Sequence, residues 1–187
     1  MAIEFNLPTN ITLLRIALIP LLTVVFYLPW QYANIACTVI FIIAGFTDWL
    51  DGYLARKMDM ETPFGAFLDP VADKLMVAMV LVILVQQQAS PYLAIPAAVI
   101  IGREITIASL REWMAEIGQR ATVNVSQLAK WKTAAQMISI GLLLYREDLL
   151  GIPVNFIGYV LLYIAAILTL WSMVNYLKAA LLAIAKT

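Results

Sequence analysis

Residues 48–74 read DWLDGYLARKMDMETPFGAFLDPVADK. Four of the five aspartates in this window, Asp48, Asp51, Asp69 and Asp73, stand at the ends of its apolar flanks in a chain that is 63% hydrophobic. Carboxylates are costly to place in apolar surroundings unless a cation offsets them. Long apolar runs flank the window, IACTVIFIIAGF before it and LMVAMVLVILV after it. The stretch therefore reads as the polar connection between two membrane helices, with acids at the adjoining end of each.

The rest of the chain follows the same pattern. It has 187 residues, mean hydropathy +0.89 and 13% charged residues, against about a quarter in soluble domains. A membrane helix needs about 20 mostly apolar residues. Hydropathy predicts an all-α integral membrane protein of six transmembrane helices, near 8–29, 33–55, 67–88, 92–115, 125–145 and 153–183. The breaks carry turn or polar signals, LPWQYAN, KMDMETPFG, QQQASPY, EIGQRATVN and REDLLGIPVN. No linker, repeat or soluble insertion interrupts them, so a single membrane domain over residues 1–187 is expected. The start MAIEFNLPTN lacks the basic region of a signal peptide, so the first apolar segment is expected to remain in the mature protein.

Some chemistries are absent from the start. There is no histidine, and Cys37 is the lone cysteine, inside an apolar run. Histidine triads, Cys/His zinc sites and disulfide frameworks are excluded. The formal net charge is zero, and no nucleic-acid partner is expected.

Charge placement orients the bundle. With six spans, Arg15, Arg56, Lys57, Lys74, Arg103, Arg111, Arg120, Lys130, Lys132, Lys178 and Lys186 share one side, and only Arg146 falls on the other. Such asymmetry predicts both termini in the cytoplasm. The four aspartates, Glu104 and Glu112 lie toward that same side, so any chemistry is expected at the cytoplasmic interface.

At 100° per residue, Asp48, Asp51, Gly52, Ala55 and Arg56 occupy an arc of about 140° on the second span, and Gly65, Asp69 and Asp73 about 80° on the third. A short connection predicts antiparallel neighbours whose acidic faces meet. Four ionised carboxylates there repel one another, and two divalent cations cancel their charge, with oxygen ligands suited to magnesium or manganese. The small residues Gly52 and Ala55 allow a phosphate-bearing ligand close to the backbone. Arg56 is placed to hold a phosphate oxygen, and Thr62 can add a hydroxyl donor. A two-metal site beside an arginine fits phosphoryl transfer. The plainer alternative is solvated acids paired with Arg56, Lys57 and Lys74.

At these residues the sequence resembles the CDP-alcohol phosphatidyltransferase family, whose signature D-x2-D-G-x2-A-R-x8-G-x3-D-x3-D is complete from Asp48 to Asp73. The stretches NLPTNITLLRIALIP, GAFLDPVADKLMVA, REITIASLREWMAEIG and KWKTAAQM make it look closer to bacterial members that use glycerol 3-phosphate. Ala129 stands where a glycine commonly precedes the Lys-x-Lys-Thr element. The resemblance implies a six-helix core, a homodimer in the bacterial cytoplasmic membrane, and magnesium as cofactor. It implies that Asp48, Asp51, Asp69 and Asp73 are metal ligands, with Asp73 also the catalytic base. Asn10, Thr12, Gly52, Ala55, Arg56, Thr62 and Gly65 then form the CDP-lipid surface. The implied reaction is attack by an alcohol on the phosphorus bound to diacylglycerol in CDP-diacylglycerol, with CMP leaving.

The signature does not choose the alcohol. Arg103, Arg111, Lys130 and Lys132 gather four cations near the cytoplasmic ends of spans four and five, suited to an acceptor phosphate such as that of glycerol 3-phosphate. Inositol phosphate satisfies the same physics, and topology or anionic lipid headgroups are the plainer explanation. Arg103 and Arg111 lie only about 80° apart on their helix; Glu104 and Glu112 repeat the spacing and could pair with them. A cation transporter is the alternative from another class, but the middles of spans one, three and six offer no polar path. Trp30, Trp49, Trp113 and Trp131 fit an interfacial belt.

Overall fold

The computed structural model describes residues 6–58, 62–118 and 127–184. Six helices run through them: α1 Leu7–Tyr27, α2 Ala33–Met58, α3 Pro63–Gln88, α4 Pro91–Glu116, α5 Gln127–Tyr145 and α6 Val154–Ile184. Among the described residues there is no strand, only an isolated bridge between Leu149 and Ile152 in the turn before α6.

Local chemistry sets several of the starts. Asn6, Thr62 and Ser90 cap α1, α3 and α4, each accepting a backbone N–H within the first turn, and each is followed by proline at one of the first two helical positions. A polar cap meets an orphan donor, and proline has no N–H to leave unpaired. At its other end α3 stops at Ala89, whose φ of 45° breaks the helix.

Among the described residues, four helices are long and apolar enough to cross a membrane: Leu7–Tyr27, Ala33–Gly52 within α2, Pro91–Glu116, and Val154–Leu181 within α6. The protein is thus an all-helical membrane protein. The main helix contacts run α1–α2–α5–α6–α4–α3 and back to α1, with α3 also touching α5. Helices α3 and α5 therefore each pack on three others and form the middle of the bundle.

Here the expected pairing of α2 with α3 needs correction. They share no extended packing among the described residues; both pack on α1, which stands between them. The short connection joins their ends, but α1 supplies the surface on which those ends converge.

The core lies below the acids and draws on every helix. It includes Leu22, Phe41, Leu81, Leu84, Ile100, Leu143 and Leu162. Cys37 is fully buried among these residues as a free thiol, as its apolar setting implied. Trp30, Trp113 and Trp131 are exposed, and the Trp49 side chain lies outside the described residues.

Candidate metal and phosphate site

Helix α2 brings Asp48 and Asp51, one turn apart, to face α1, and the first turns of α3 bring Asp69. One carboxylate oxygen from each lies within 4.8 Å of the other two. Between them sits Arg15, the ninth residue of α1 and only 1% exposed. Its Nη1 donates to Asp48 Oδ1 at 2.6 Å and to Asp69 Oδ1 at 3.1 Å, and its Nη2 donates to Asp51 Oδ2 at 2.5 Å.

Thr12, one turn before Arg15, donates its hydroxyl to the same Asp51 Oδ2 at 3.0 Å and to Pro8 O at 3.2 Å. Asp51 is 3% exposed, and its Oδ1 is buried without a partner. A bare carboxylate oxygen in such a place is expensive. It marks where a cation fits. Three hard oxygen donors with one buried lone acceptor suit magnesium or manganese, so the residues present fit the divalent site that the sequence implied.

Arg15 is a site residue that the sequence pattern does not mark, since there it reads only as one of the charges that orient the bundle. A signal was there: it is the one charged side chain in α1, and ionisable groups within spans are functional by default. Which helices would face it was not readable from α1 alone.

Asp73 lies one turn beyond Asp69 on α3 and is not one of the three grouped carboxylates. It is half-buried and feels the charges of Arg15, Asp48 and Asp69 on one side and of Glu104 on the other. Lys132 also senses it from α5. Asp73 thus sits between the carboxylate triad and a second polar group.

That second group joins α4, α5 and α6. Glu104 Oε1 accepts from Lys132 Nζ at 2.9 Å and from Arg103 Nη1 at 2.8 Å, while Arg103 Nη2 donates to Ser172 Oγ at 3.1 Å. Lys132 is buried, and Arg103 Nε is buried without a partner. Two cations share one acid, giving this cluster a net positive charge and a spare donor, the electrostatics an anionic phosphate needs. Arg111 is exposed two turns on; its Nε donates to Tyr176 OH at 3.1 Å, and its guanidinium lies 5.2 Å over the Tyr176 ring. Arg103 and Arg111 therefore do share the α4 face toward α6. Glu104 pairs with Arg103 as expected, whereas Glu112 is exposed.

The remaining expected site residues are placed as follows. The hydroxyl of Thr62 accepts from Gly65 N at 3.0 Å as the α3 cap and lies 3.4 Å from Thr9 Oγ1. A Cβ on Gly65 would meet those two hydroxyls at 3.0 and 3.1 Å, a tight fit between the α3 cap and Thr9 of α1. Asn10 is exposed on the first turn of α1, and Gly52 is partly exposed beside Asp51. The side chains of Ala55, Arg56 and Lys130 lie outside the described residues.

Comparison with known proteins gives this geometry a context. A family model described as CDP-alcohol phosphatidyltransferase matches residues 5–171. The chain is 52% identical over 180 residues to a Haemophilus influenzae protein named CDP-diacylglycerol–glycerol-3-phosphate 3-phosphatidyltransferase, covering 95% of this chain and 94% of that one. Proteins of the same name from Salmonella choleraesuis and Pectobacterium atrosepticum are 51% and 52% identical over 177 residues, covering 95% of this chain and 96% of each.

Proposed function

Because the chain belongs to the CDP-alcohol phosphatidyltransferase family, we propose that it transfers the phosphatidyl group of CDP-diacylglycerol to the free hydroxyl of sn-glycerol 3-phosphate. The products are phosphatidylglycerophosphate and CMP, a step of phospholipid biosynthesis. The observation that carries this reading is the grouping of Asp48, Asp51 and Asp69 within 4.8 Å, with Asp73 within electrostatic reach both of that group and of Glu104 and Lys132. The names of the similar proteins supply the donor and the acceptor.

Asp48, Asp51 and Asp69, with Asp73 at their edge, would hold two divalent ions, magnesium or manganese. Bound there, such ions would offset the charge of the donor diphosphate and of the leaving CMP. Asn10, Gly52, Ala55, Arg56, Thr62 and Gly65 line the nucleotide side, and Thr12 acts on it through Asp51. Arg103, Arg111, Lys130 and Lys132 take the acceptor phosphate. Asp73, between the two groups, accepts the proton of the attacking hydroxyl, a role left to a carboxylate in a chain without histidine. The new bond joins the acceptor oxygen to the phosphorus that bears diacylglycerol; the bond that breaks joins that phosphorus to the CMP oxygen.

In this reading all six helices cross the bacterial inner membrane as one domain over residues 1–187, with both termini and the site at the cytoplasmic face. The support is the one-sided distribution of Lys and Arg. A homodimer is supported by the family likeness alone.

The test offers CDP-diacylglycerol and magnesium with glycerol 3-phosphate, serine or inositol phosphate in turn, and identifies the lipid formed. Phosphatidylglycerophosphate with stoichiometric CMP is expected from glycerol 3-phosphate only. Product from another alcohol instead overturns the acceptor and leaves the family chemistry standing.

A further inference from the structure

Arg15 takes only one oxygen from each of its three carboxylates. It holds Oδ1 of Asp48, Oδ1 of Asp69 and Oδ2 of Asp51. The second oxygen of Asp51 is buried and bare. The Asp48 and Asp69 side chains are 43% and 45% exposed, whereas the Arg15 side chain is 2% exposed. The guanidinium thus lies on the buried side of the triad with Asp51, while Asp48 and Asp69 are open on their other side. Its planar fork donates to all three in fixed directions, which a rotatable ammonium does not impose.

We propose that Arg15 is a positioning residue for the divalent-ion site, one that stays in place when the ion binds. It is not a stand-in that the ion displaces. Displacement would strand a buried guanidinium whose Nε already lacks a partner, among carboxylates then turned elsewhere. Breaking a buried pair in this way is strongly unfavourable. Retention is chemically coherent: Arg15 offsets one of the three negative charges, fixes the carboxylate rotamers, and leaves two charges and a free oxygen on Asp51 for the metal. Thr12, on the same face of α1, gives Asp51 Oδ2 its second donor.

The two possibilities differ in sign. By Coulomb attraction alone, removing a positive charge beside three carboxylates tightens cation binding. Loss of a positioning partner weakens it instead, typically tenfold to a hundredfold. The experiment measures Mn2+ dissociation constants of the full chain in lipid nanodiscs by electron paramagnetic resonance, for wild type, Arg15→Gln and Arg15→Lys. At least about a tenfold weaker affinity is expected for Arg15→Gln, with Arg15→Lys also weaker because a rotatable ammonium on a flexible stem does not hold the three acids in one fixed geometry. Equal or tighter binding by a folded Arg15→Gln overturns the proposal. If that variant does not fold, Arg15→Lys decides by the same sign. The inference rests on the carboxylates holding a divalent ion. Wild type that binds no Mn2+ defeats that reading and this one together, whereas unchanged variants beside a binding wild type defeat only the role of Arg15.

Discussion

Asp51 has two donors on one oxygen and none on the other, and Glu104 gathers two cations on a single oxygen. Each acid is held from one side only. Asp73 lies between them, and Asp73→Asn removes a proton acceptor while keeping the side chain's shape. CMP release should fall at least about a hundredfold, with CDP-diacylglycerol binding retained; full turnover in this variant would remove Asp73 as base. Glu104→Ala leaves the buried Lys132 without its acid, so the melting temperature should drop. The Michaelis constant for glycerol 3-phosphate should rise about tenfold, that is about 1.4 kcal/mol, while that for the lipid donor stays put. Equal changes in both constants would point to a general loss of structure. The aspartates and the basic residues were legible as types and spacings. Arg15 was not, because helical periodicity says which face a residue is on and nothing of which helices will pack there.

Between elements, two glycines sit where helices come close. A Cβ on Gly158 would lie 2.9 Å from Leu143 Cγ where α5 and α6 meet, and Ser139 Oγ donates to Gly158 O at 2.7 Å across the same seam. Gly158→Ala should destabilise the protein by about 1–3 kcal/mol, read as a lower melting temperature in detergent. Combined with Leu143→Ala, the loss should be smaller than the sum of the two, since one change makes room for the other. Additive losses would place the seam elsewhere. Gly65 belongs to a different seam, where α1 and α3 bring Thr9 and Thr62 together. The helices themselves were readable from hydropathy to within a few residues at most ends. Their partners were harder: a short loop constrains where two helix ends lie, yet the extended packing of α2 and α3 went to α1, whose apolar surface fits both.

For the whole molecule, one closed circuit of helices with α3 and α5 in its middle explains why hydropathy and burial divide as they do. The outer helices show broad apolar flanks, while α3 buries eight residues, including Val80, Leu81 and Leu84. The bundle's orientation can be read chemically, because the single native thiol is inaccessible. With a membrane-impermeant maleimide on intact spheroplasts, Asp148→Cys should be labelled at once and Glu116→Cys only after the membrane is opened. The opposite pattern would invert the bundle. The position of Arg15 also bears on how the protein is made. Its partners lie 33, 36 and 54 residues further along the chain, so the ribosome delivers the guanidinium well before any acid that can neutralise it. The first helix has to linger near the headgroups or the insertion machinery until the second and third emerge, and settling of these three segments becomes a joint event in biogenesis.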